Sequence, residues 1–239
     1  HVSLFITHSL RQKNMTSDRG KKSLAVLVDF DGTITTVDIG DQVVIKFAEP
    51  GWEKALLKFK AGEINVRELW SYEISLLRKD RESEAVTYCI NSAEIRKGFR
   101  EFIEYCYAQK IKIEVASSGM NFYVDSILEA NGFAELPRAR PIVQYDCRGH
   151  GVMVMPEGIN DCSMTALCKC DRIWRLRRDG HRVIFIGDGV SDQCAVSQAD
   201  IVIATGSLLD ICIDKNIAHI PFENFNEVLV TVSTEFNRR

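Results

Sequence analysis

The sequence predicts an α/β fold: a doubly wound, Rossmann-like parallel sheet with an inserted α-helical cap. Short apolar runs typical of buried strands alternate with segments whose apolar residues recur three and four positions apart, as in helices. After the first strand, residues 39–110 carry helical patterns alone, which is more chain than one crossover between parallel strands needs. Together these patterns predict a core sheet with a helical unit inserted after its first strand.

Each expected element follows from its own local pattern. The strands are apolar runs that end in small or acidic residues, and the hairpin alternates around a turn at Gly149 and Gly151. We expect strands within residues 24–28, 110–119, 181–189 and 200–205, and a hairpin within 141–158. We expect helices within residues 41–48, 52–62, 66–78, 83–93, 98–109, 121–133, 164–180 and 191–199.

These elements divide the chain into a core, a cap and a leading segment. We assign residues 22–38 and 111–235 to a Rossmann-like catalytic core and residues 39–110 to the helical cap. Residues 1–21 are an N-terminal extension, within which Met15 is the expected natural start. The apolar run in this extension is too short for the core of a signal peptide.

The composition is that of an ordinary globular protein and excludes several partners. Of the 239 residues, 46% are hydrophobic and 26% are charged, and the formal net charge is −3. A chain of this charge, in which no block of like charge forms a tail, is not expected to bind nucleic acid. No apolar stretch approaches the roughly 18 residues that would span a membrane. We therefore expect a cytoplasmic protein with a small-molecule partner, and a homodimer stays an open alternative.

Eight cysteines without a secretion signal favour free thiols in a reducing compartment. Four of them invite a zinc interpretation, namely Cys147, Cys162, Cys168 and Cys170. Their spacings do not form the CxxC pairs of a typical structural zinc site. We expect buried free thiols rather than metal ligands.

Polar side chains follow three of the expected strands, at the point where each strand ends. They are Asp29, Asp31, Ser117, Ser118, Asp188 and Asp192. In an open parallel sheet, ligands bind beyond the carboxyl ends of the strands, so the fold would bring these segments to one edge. Carboxylates gathered there repel one another and need a cation, and oxygen ligands with open positions suit Mg²⁺.

This set of residues has the parts of a phosphoryl-transfer site. With a bound cation, one aspartate can attack phosphorus and form an aspartyl phosphate. A second acid two residues later can protonate the leaving oxygen and then activate water. Lys169 can neutralise the phosphate, and the "ASSGM" segment supplies a hydroxyl and backbone N–H groups.

These motifs resemble the haloacid dehalogenase superfamily of phosphatases over residues 24 to about 225. "DFDGT" is similar to the first family motif, Ser117 to the second, Lys169 to the third and "GDGVSD" to the fourth. The resemblance implies that Asp29 is the nucleophile and Asp31 the acid/base, and that Mg²⁺ is held by Asp29, the Asp31 carbonyl and Asp188. It also implies that Ser117, Ser118, Gly119 and Lys169 bind phosphate, with Asp192 supporting the site.

Within this family, the stretches "IRKGFREFIEY" and "VASSGMNFYVDSIL" look most like the methionine-salvage phosphatase for 2-hydroxy-3-keto-5-methylthiopentenyl-1-phosphate. Ser118 departs from the serine-glycine-glycine of that branch. Phosphoserine phosphatases hold the substrate carboxylate with an arginine of a cap helix. A gapless overlay of this chain on that helix places Glu73 at the arginine position, although a shift of the overlay could bring in Arg67 or Arg78. Asp38 and Glu73 are the candidates for substrate specificity, and Asp38 alternatively caps a helix.

The expected function is therefore Mg²⁺-dependent hydrolysis of a small phosphate ester through an aspartyl phosphate. Four alternatives stay open at this point: a phosphoserine phosphatase, a phosphatase for phosphocholine or phosphoethanolamine, an enzyme that transfers the phosphoryl group to an acceptor other than water, and a non-catalytic binding protein on the same fold. Acidic cap residues suit the cationic headgroups of the second alternative.

Overall fold

A computed structural model describes residues 23–155 and 166–238 of the protein. The strands are β1 (Ser23–Val28), β2 (Lys112–Ala116), β3 (Arg138–Ala139), β4 (Ile142–Tyr145), β5 (Gly151–Val154), β6 (His181–Gly187), β7 (Ile201–Ala204) and β8 (Ile220–Pro221). The helices are α1 (Ile39–Phe47), α2 (Trp52–Lys60), α3 (Val66–Ser75), α4 (Glu82–Ser92), α5 (Phe99–Ala108), α6 (Asn121–Ala130), α7 (Lys169–Arg178), α8 (Gln193–Val196), α9 (Gly206–Asp214) and α10 (Phe225–Asn237).

Six of the strands form one parallel sheet in the order β3-β2-β1-β6-β7-β8, and β4 pairs with β5 as an antiparallel hairpin. The predicted doubly wound, Rossmann-like sheet is thus confirmed. β1 lies at its centre, with Ala25 opposite Lys112 of β2 and Ser23 opposite His181 of β6. The three strands whose ends carry the polar motifs are therefore neighbours in space.

Apolar side chains cover both faces of the sheet. Alternate residues of β1 point to opposite sides, so that Val26 and Val28 join one buried cluster while Ala25 and Leu27 join the other. The first cluster includes buried residues of α5, α6 and α10, and the second includes those of α7, α8 and α9. Because β1 is buried on both faces, its sequence is continuously apolar rather than alternating.

Two edge strands and two helices were not predicted. β3 and β8 have two residues each, too few to show any periodicity. The two unpredicted helices are α9 and α10, which follow β7 and complete the layers around the sheet. α7 begins at Lys169, later in the chain than the helix expected within 164–180.

The segment predicted as a cap contains α1 to α5. α1 packs against α4, α2 against α3, and α3 against β5. α5 instead packs against α10 and β2, in the layer that covers the sheet. The domain boundaries at residues 39 and 110 stay a prediction.

The hairpin ties the cap segment to the core. The Lys79 amide donates to the Gly149 carbonyl at 3.0 Å, and the Gly151 amide donates to the Leu77 carbonyl at 3.0 Å. Arg78 lies 2.6 Å from Nε2 of His150. His150 thus helps to hold the segment between α3 and α4 in place.

The cysteines in the described residues are all free thiols. Cys168 and Cys170 are buried as expected, whereas Cys147 is exposed because it lies in the turn between β4 and β5. Cys162 lies outside the described residues. Within those residues, no cluster of three candidate metal ligands includes a cysteine. None of the helices in the described part of the chain is long and apolar enough to cross a membrane.

Candidate active site

A cavity of about 340 Å³ lies at the carboxyl ends of β1, β2 and β6. We call its core side the floor, and the floor residues that line it include Asp29, Asp31, Ser118, Gly119 and Asp188. We call its cap side the roof, and the roof residues that line it are Asp38, Asp41, Leu56, Phe59, Val66, Leu69 and Trp70. The predicted floor residues therefore converge as the sheet order requires.

Lys169 is fully buried beneath Asp29 at the start of α7. Its Nζ lies 2.8 Å from Oδ1 of Asp29 and also donates to Oδ1 of Asp192. Burial by itself lowers the pKa of an ammonium group, but Asp192 and Asp29 outweigh this effect and raise the pKa of Lys169 above its ordinary value. Lys169 is therefore a permanent positive charge beside the predicted nucleophile.

Asp29 follows β1 directly and is only 5% exposed. Its Oδ1 accepts a hydrogen bond from the Phe30 amide at 2.7 Å and faces Lys169. Burial and the charge of Asp192 raise the pKa of Asp29 well above its ordinary value, while Lys169 opposes them. The ionised form of Asp29 therefore depends on positive charge in the site.

Asp192 and Asp188 have different roles although both belong to "GDGVSD". Asp192 is fully buried, and its Oδ2 accepts from the amides of Asp188 and Gly189 at 3.1 and 3.2 Å. With Lys169 on its other oxygen, Asp192 holds this loop together. Asp188 lines the cavity, and its Oδ1 accepts from the Thr33 hydroxyl at 3.1 Å.

The floor carboxylates fit a hard cation. Carboxylate oxygens of Asp29, Asp188 and Asp192 lie within 4.8 Å of one another. Burial and repulsion by Asp192 raise the pKa of Asp188 to about 6, so a cation bound beside this carboxylate would favour its ionised form. Because both oxygens of Asp192 already have partners, Asp29 and Asp188 are the side chains that could hold a metal ion.

Gly32 makes room for this arrangement. A Cβ at this position would lie 2.1 Å from Oδ2 of Asp188, and the backbone has a φ of +70°, which favours glycine. The glycine of "DFDGT" is thus required by the close approach of Asp188.

The Asp31 carboxylate accepts a hydrogen bond on each of its two oxygens. Its Oδ1 accepts from the Ile39 amide at 3.0 Å, and its Oδ2 accepts from the Tyr123 hydroxyl at 2.7 Å. Burial and the nearby Asp38 carboxylate raise the pKa of Asp31 to about 8, although both hydrogen bonds favour the ionised form. A carboxyl group with such a pKa can carry a proton at neutral pH. Tyr123 was not predicted as a site residue.

The loop after β2 supplies hydroxyl and backbone groups. Ser117 is fully buried and its Oγ accepts from the Gly119 amide at 2.9 Å. Ser118 lines the cavity, and its Oγ is buried without a hydrogen-bond partner among the described residues. A buried hydroxyl without a partner is costly, so this atom suits an acceptor supplied by a ligand.

The roof acids are placed differently from one another. Asp38 both caps α1, by accepting from the Asp41 amide at 2.8 Å, and lines the cavity. Burial and the charge of Asp41 raise the pKa of Asp38 to about 6. Glu73 is buried in α3 and does not line the cavity, and burial followed by Asp41 and Asp38 raises its pKa to about 7. Asp41, which the sequence analysis did not single out, lines the cavity.

Among the described residues, no arginine or lysine lines the cavity. Arg78 is engaged by His150 and lies 3.9 Å from Glu49. Arg67 also has a partner and does not line the cavity. Neither of the two arginines that a register shift could have brought in therefore lines the cavity within the described residues.

Comparison with known proteins identifies the family. The family model of haloacid dehalogenase-like hydrolases matches residues 26–197. A 2-hydroxy-3-keto-5-methylthiopentenyl-1-phosphate phosphatase of Bacillus cereus is 33% identical over 210 residues, which covers 86% of this chain and 94% of that protein. The phosphatase of the same name from Brevibacillus brevis is 30% identical over 216 residues, with 87% and 94% covered.

Solved structures agree on the fold. A phospho-aspartyl intermediate analogue of phosphoserine phosphatase matches with a TM-score of 0.63 at 21% identity, covering 88% of this chain and 99% of that one. A substrate-bound phosphoserine phosphatase complex matches with a TM-score of 0.64 at 20% identity, covering 89% and 99%. The chain belongs, as its motifs predicted, to the haloacid dehalogenase-like hydrolase family and is a phosphoric monoester hydrolase.

Proposed function

We propose that the protein is a Mg²⁺-dependent phosphatase that acts through an aspartyl phosphate on 2-hydroxy-3-keto-5-methylthiopentenyl-1-phosphate, in methionine salvage. The observation that carries the chemistry is the buried Lys169 between Asp29 and Asp192, directly under a cavity that Asp29 and Asp188 line. The substrate assignment is supported by the apolar roof and by the relatives at about one-third identity.

In the proposed reaction, Asp29 is the nucleophile. Its Oδ1 is held by the Phe30 amide and Lys169, which leaves Oδ2 to attack phosphorus. Lys169 neutralises part of the charge shared between Asp29 and the phosphate, and Ser117, Ser118 and the Gly119 segment surround the phosphate oxygens. A preorganised cationic site of this kind stabilises charge that develops in the transition state.

Asp31 is the proposed acid/base. In the first step it gives a proton to the leaving ester oxygen as the bond from that oxygen to phosphorus breaks, and in the second it takes a proton from the water that attacks the aspartyl phosphate. The raised pKa of Asp31, at about 8, suits the first role. The hydrogen bonds from the Ile39 amide and the Tyr123 hydroxyl keep its carboxyl group at the cavity wall.

The donor set fits Mg²⁺, which prefers carboxylate, carbonyl, water and phosphate oxygens. Asp29, Asp188 and the Asp31 carbonyl would hold it. When bound, the ion supplies charge neutralisation for the phosphate and for the two carboxylates.

The roof supports a substrate with an apolar part. Leu56, Phe59 and Trp70 form an apolar wall that suits a methylthio chain, while Asp38 and Asp41 can accept hydrogen bonds from substrate hydroxyl groups. Glu73 would influence specificity only through these two acids. The cavity lining has no basic side chain for the carboxylate of phosphoserine among the described residues, which disfavours that alternative.

A second candidate substrate class is favoured by one observation. Asp38 and Asp41 line the same wall as Trp70 and Phe59, and acids beside aromatic rings suit an ammonium group. Phosphocholine and phosphoethanolamine carry such a group.

A substrate panel tests the proposal. Phosphate release would be measured with Mg²⁺ for the methylthiopentenyl ester, phosphoserine, phosphocholine and phosphoethanolamine. We expect the methylthiopentenyl ester to have the highest kcat/KM, and Trp70→Ala to lower it by on the order of tenfold, since a lost apolar contact is worth about 1–3 kcal/mol. The matched control is Trp174→Ala, because Trp174 is 52% exposed on α7. Preference for phosphocholine would instead select the second candidate.

We also propose a cytoplasmic enzyme that acts without nucleic acid or membrane. The free thiols in the described residues support a reducing setting. A homodimer stays an expectation that gel filtration with light scattering would test.

A further inference from the structure

Tyr123 lies in α6, just after the loop that carries Ser117 to Gly119, and its side chain is fully buried. Its ring packs near Phe30 and Phe122, with centroid distances of 6.3 and 5.7 Å. Its hydroxyl group is directed away from this apolar surrounding and donates to Oδ2 of Asp31 at 2.7 Å. The one polar group of this fully buried side chain is therefore hydrogen-bonded to the proposed acid/base.

Two glycines leave space for this hydroxyl. A Cβ on Gly119 would lie 2.0 Å from the Tyr123 hydroxyl oxygen and 2.6 Å from Oδ2 of Asp31. A Cβ on Gly40, at the start of α1, would lie 3.0 Å from the same hydroxyl oxygen. The hydroxyl thus lies between the loop of residues 117–119 and α1, in a space that a larger residue at either glycine would narrow.

The opposite oxygen of Asp31 is bound by a different element. Oδ1 accepts from the Ile39 amide in the first turn of α1, whereas Oδ2 accepts from Tyr123 in α6. Two donors from separate helices fix the carboxyl plane, because each one occupies a lone pair of a different oxygen. The remaining lone pairs, and hence the direction of proton transfer, are then fixed as well.

We propose that Tyr123 is a positioning residue that holds the Asp31 carboxyl group in the orientation needed for proton transfer to the leaving oxygen and from the attacking water. The inference rests on the proposed function, since it assigns a role to Tyr123 in that same reaction. Small errors in the placement of a catalytic group can cost on the order of 10²-fold in rate, so one buried hydrogen bond can matter for turnover.

The test compares Tyr123→Phe with wild type on two esters. The first ester is the alkyl phosphate of the panel that the wild-type protein hydrolyses fastest, and its poor leaving group needs a proton from Asp31. The second is 4-nitrophenyl phosphate, because 4-nitrophenolate leaves without a proton. We expect kcat for the alkyl ester to fall on the order of 10- to 100-fold without a rise in KM. For 4-nitrophenyl phosphate, the rate constant of the initial burst should stay within about threefold of wild type, followed by slow turnover as the aspartyl phosphate accumulates.

The matched control is Tyr88→Phe, which also removes one hydroxyl hydrogen bond, from Tyr88 to Gln42 at 3.1 Å, but Tyr88 lies in the cap segment and donates no hydrogen bond to Asp31. It should keep wild-type kinetics with both esters. Thermal unfolding of both variants would verify folding.

Three outcomes would overturn the role of Tyr123: an unchanged kcat for the alkyl ester, a loss that appears as a higher KM, or equal slowing of the burst and the alkyl reaction. A failure of the proposed function is recognised separately. In that case the wild-type protein itself would release no phosphate from any ester, or would carry no phosphate on Asp29 after rapid quenching.

Discussion

The floor and the roof of the cavity differ in the polar partners that their carboxylates have. In the floor, Lys169 faces Asp29 at 2.8 Å, Asp192 accepts from two backbone amides, and Asp188 accepts from Thr33. In the roof the Asp41 carboxylate, and behind it the Glu73 carboxylate, have no hydrogen bond or ion pair within the described part of the chain, and nearby acids add to the raised pKa of Glu73.

This difference separates chemistry from recognition. The floor groups are held in place before any ligand arrives, as a charged transition state requires. The roof combines acids with an apolar wall, and its charge would be balanced by what binds there. Variants in the floor should therefore reduce turnover of every ester, whereas variants in the roof should change stability or substrate preference.

The largest expected effect is that of Asp29→Asn. An amide cannot act as the nucleophile, so we expect kcat to fall by on the order of 10⁴ or more for every ester. Steady-state phosphate release measures the loss, and rapid quenching should show no phosphorylated protein. Asp214→Asn, at an exposed position in α9, is the matched control. Turnover near the wild-type rate would remove Asp29 from the mechanism.

The second-largest expected effect on activity is that of removing the metal ion from the floor. We expect a chelator to abolish activity, Mg²⁺ to restore it, and Ca²⁺ to restore little because it prefers a larger and looser coordination shell. Asp188→Asn should raise the Mg²⁺ concentration for half-maximal activity by on the order of 10- to 100-fold. The measurement is a Mg²⁺ titration of both proteins. Activity that only Zn²⁺ restores would contradict this assignment.

The sequence predicted the floor better than the roof for a physical reason. Asp29 and Asp188 directly follow apolar strands, and Asp31 comes two residues after Asp29, so their positions at one sheet edge follow from the topology. Tyr123 was missed because it occupies an apolar position of an amphipathic helix, where a tyrosine is indistinguishable from a packing residue.

The roof depends on how helices pack, which local patterns do not specify. Glu73 was predicted at the substrate and lies behind the cavity lining, whereas Asp41 lines it without having been predicted. Asp38 was predicted either to cap a helix or to contact substrate; it caps α1 and also lines the cavity, because α1 begins at the cavity wall, and its contact with substrate stays a prediction. The short edge strands β3 and β8 were missed because pairing with a neighbouring strand, rather than their own sequence, defines them.

The smallest expected effect on turnover, and the sharpest test of the roof, is Glu73→Gln. Glu73 is 7% exposed, and burial together with Asp41 and Asp38 raises its pKa to about 7 from an ordinary value of 4.5. A carboxyl group whose pKa is raised on folding destabilises the folded state wherever it is ionised. The penalty is absent below about pH 4.5, grows as the pH rises towards 7, and is complete above pH 7.

We therefore expect Glu73→Gln to increase the free energy of unfolding at pH 8 by about 1–3 kcal/mol, and to give no increase near pH 4.5. Urea unfolding of the metal-free protein at pH 8, 6 and 4.5 measures the difference from wild type at each pH. The control is Glu104→Gln, at an exposed position in α5, which should leave all three values unchanged. Because Glu73 does not line the cavity, kcat for a generic ester should change by less than about threefold. A destabilised variant at pH 8 would mean that the Glu73 carboxylate is neutralised in the folded protein, and the roof would then resemble the floor.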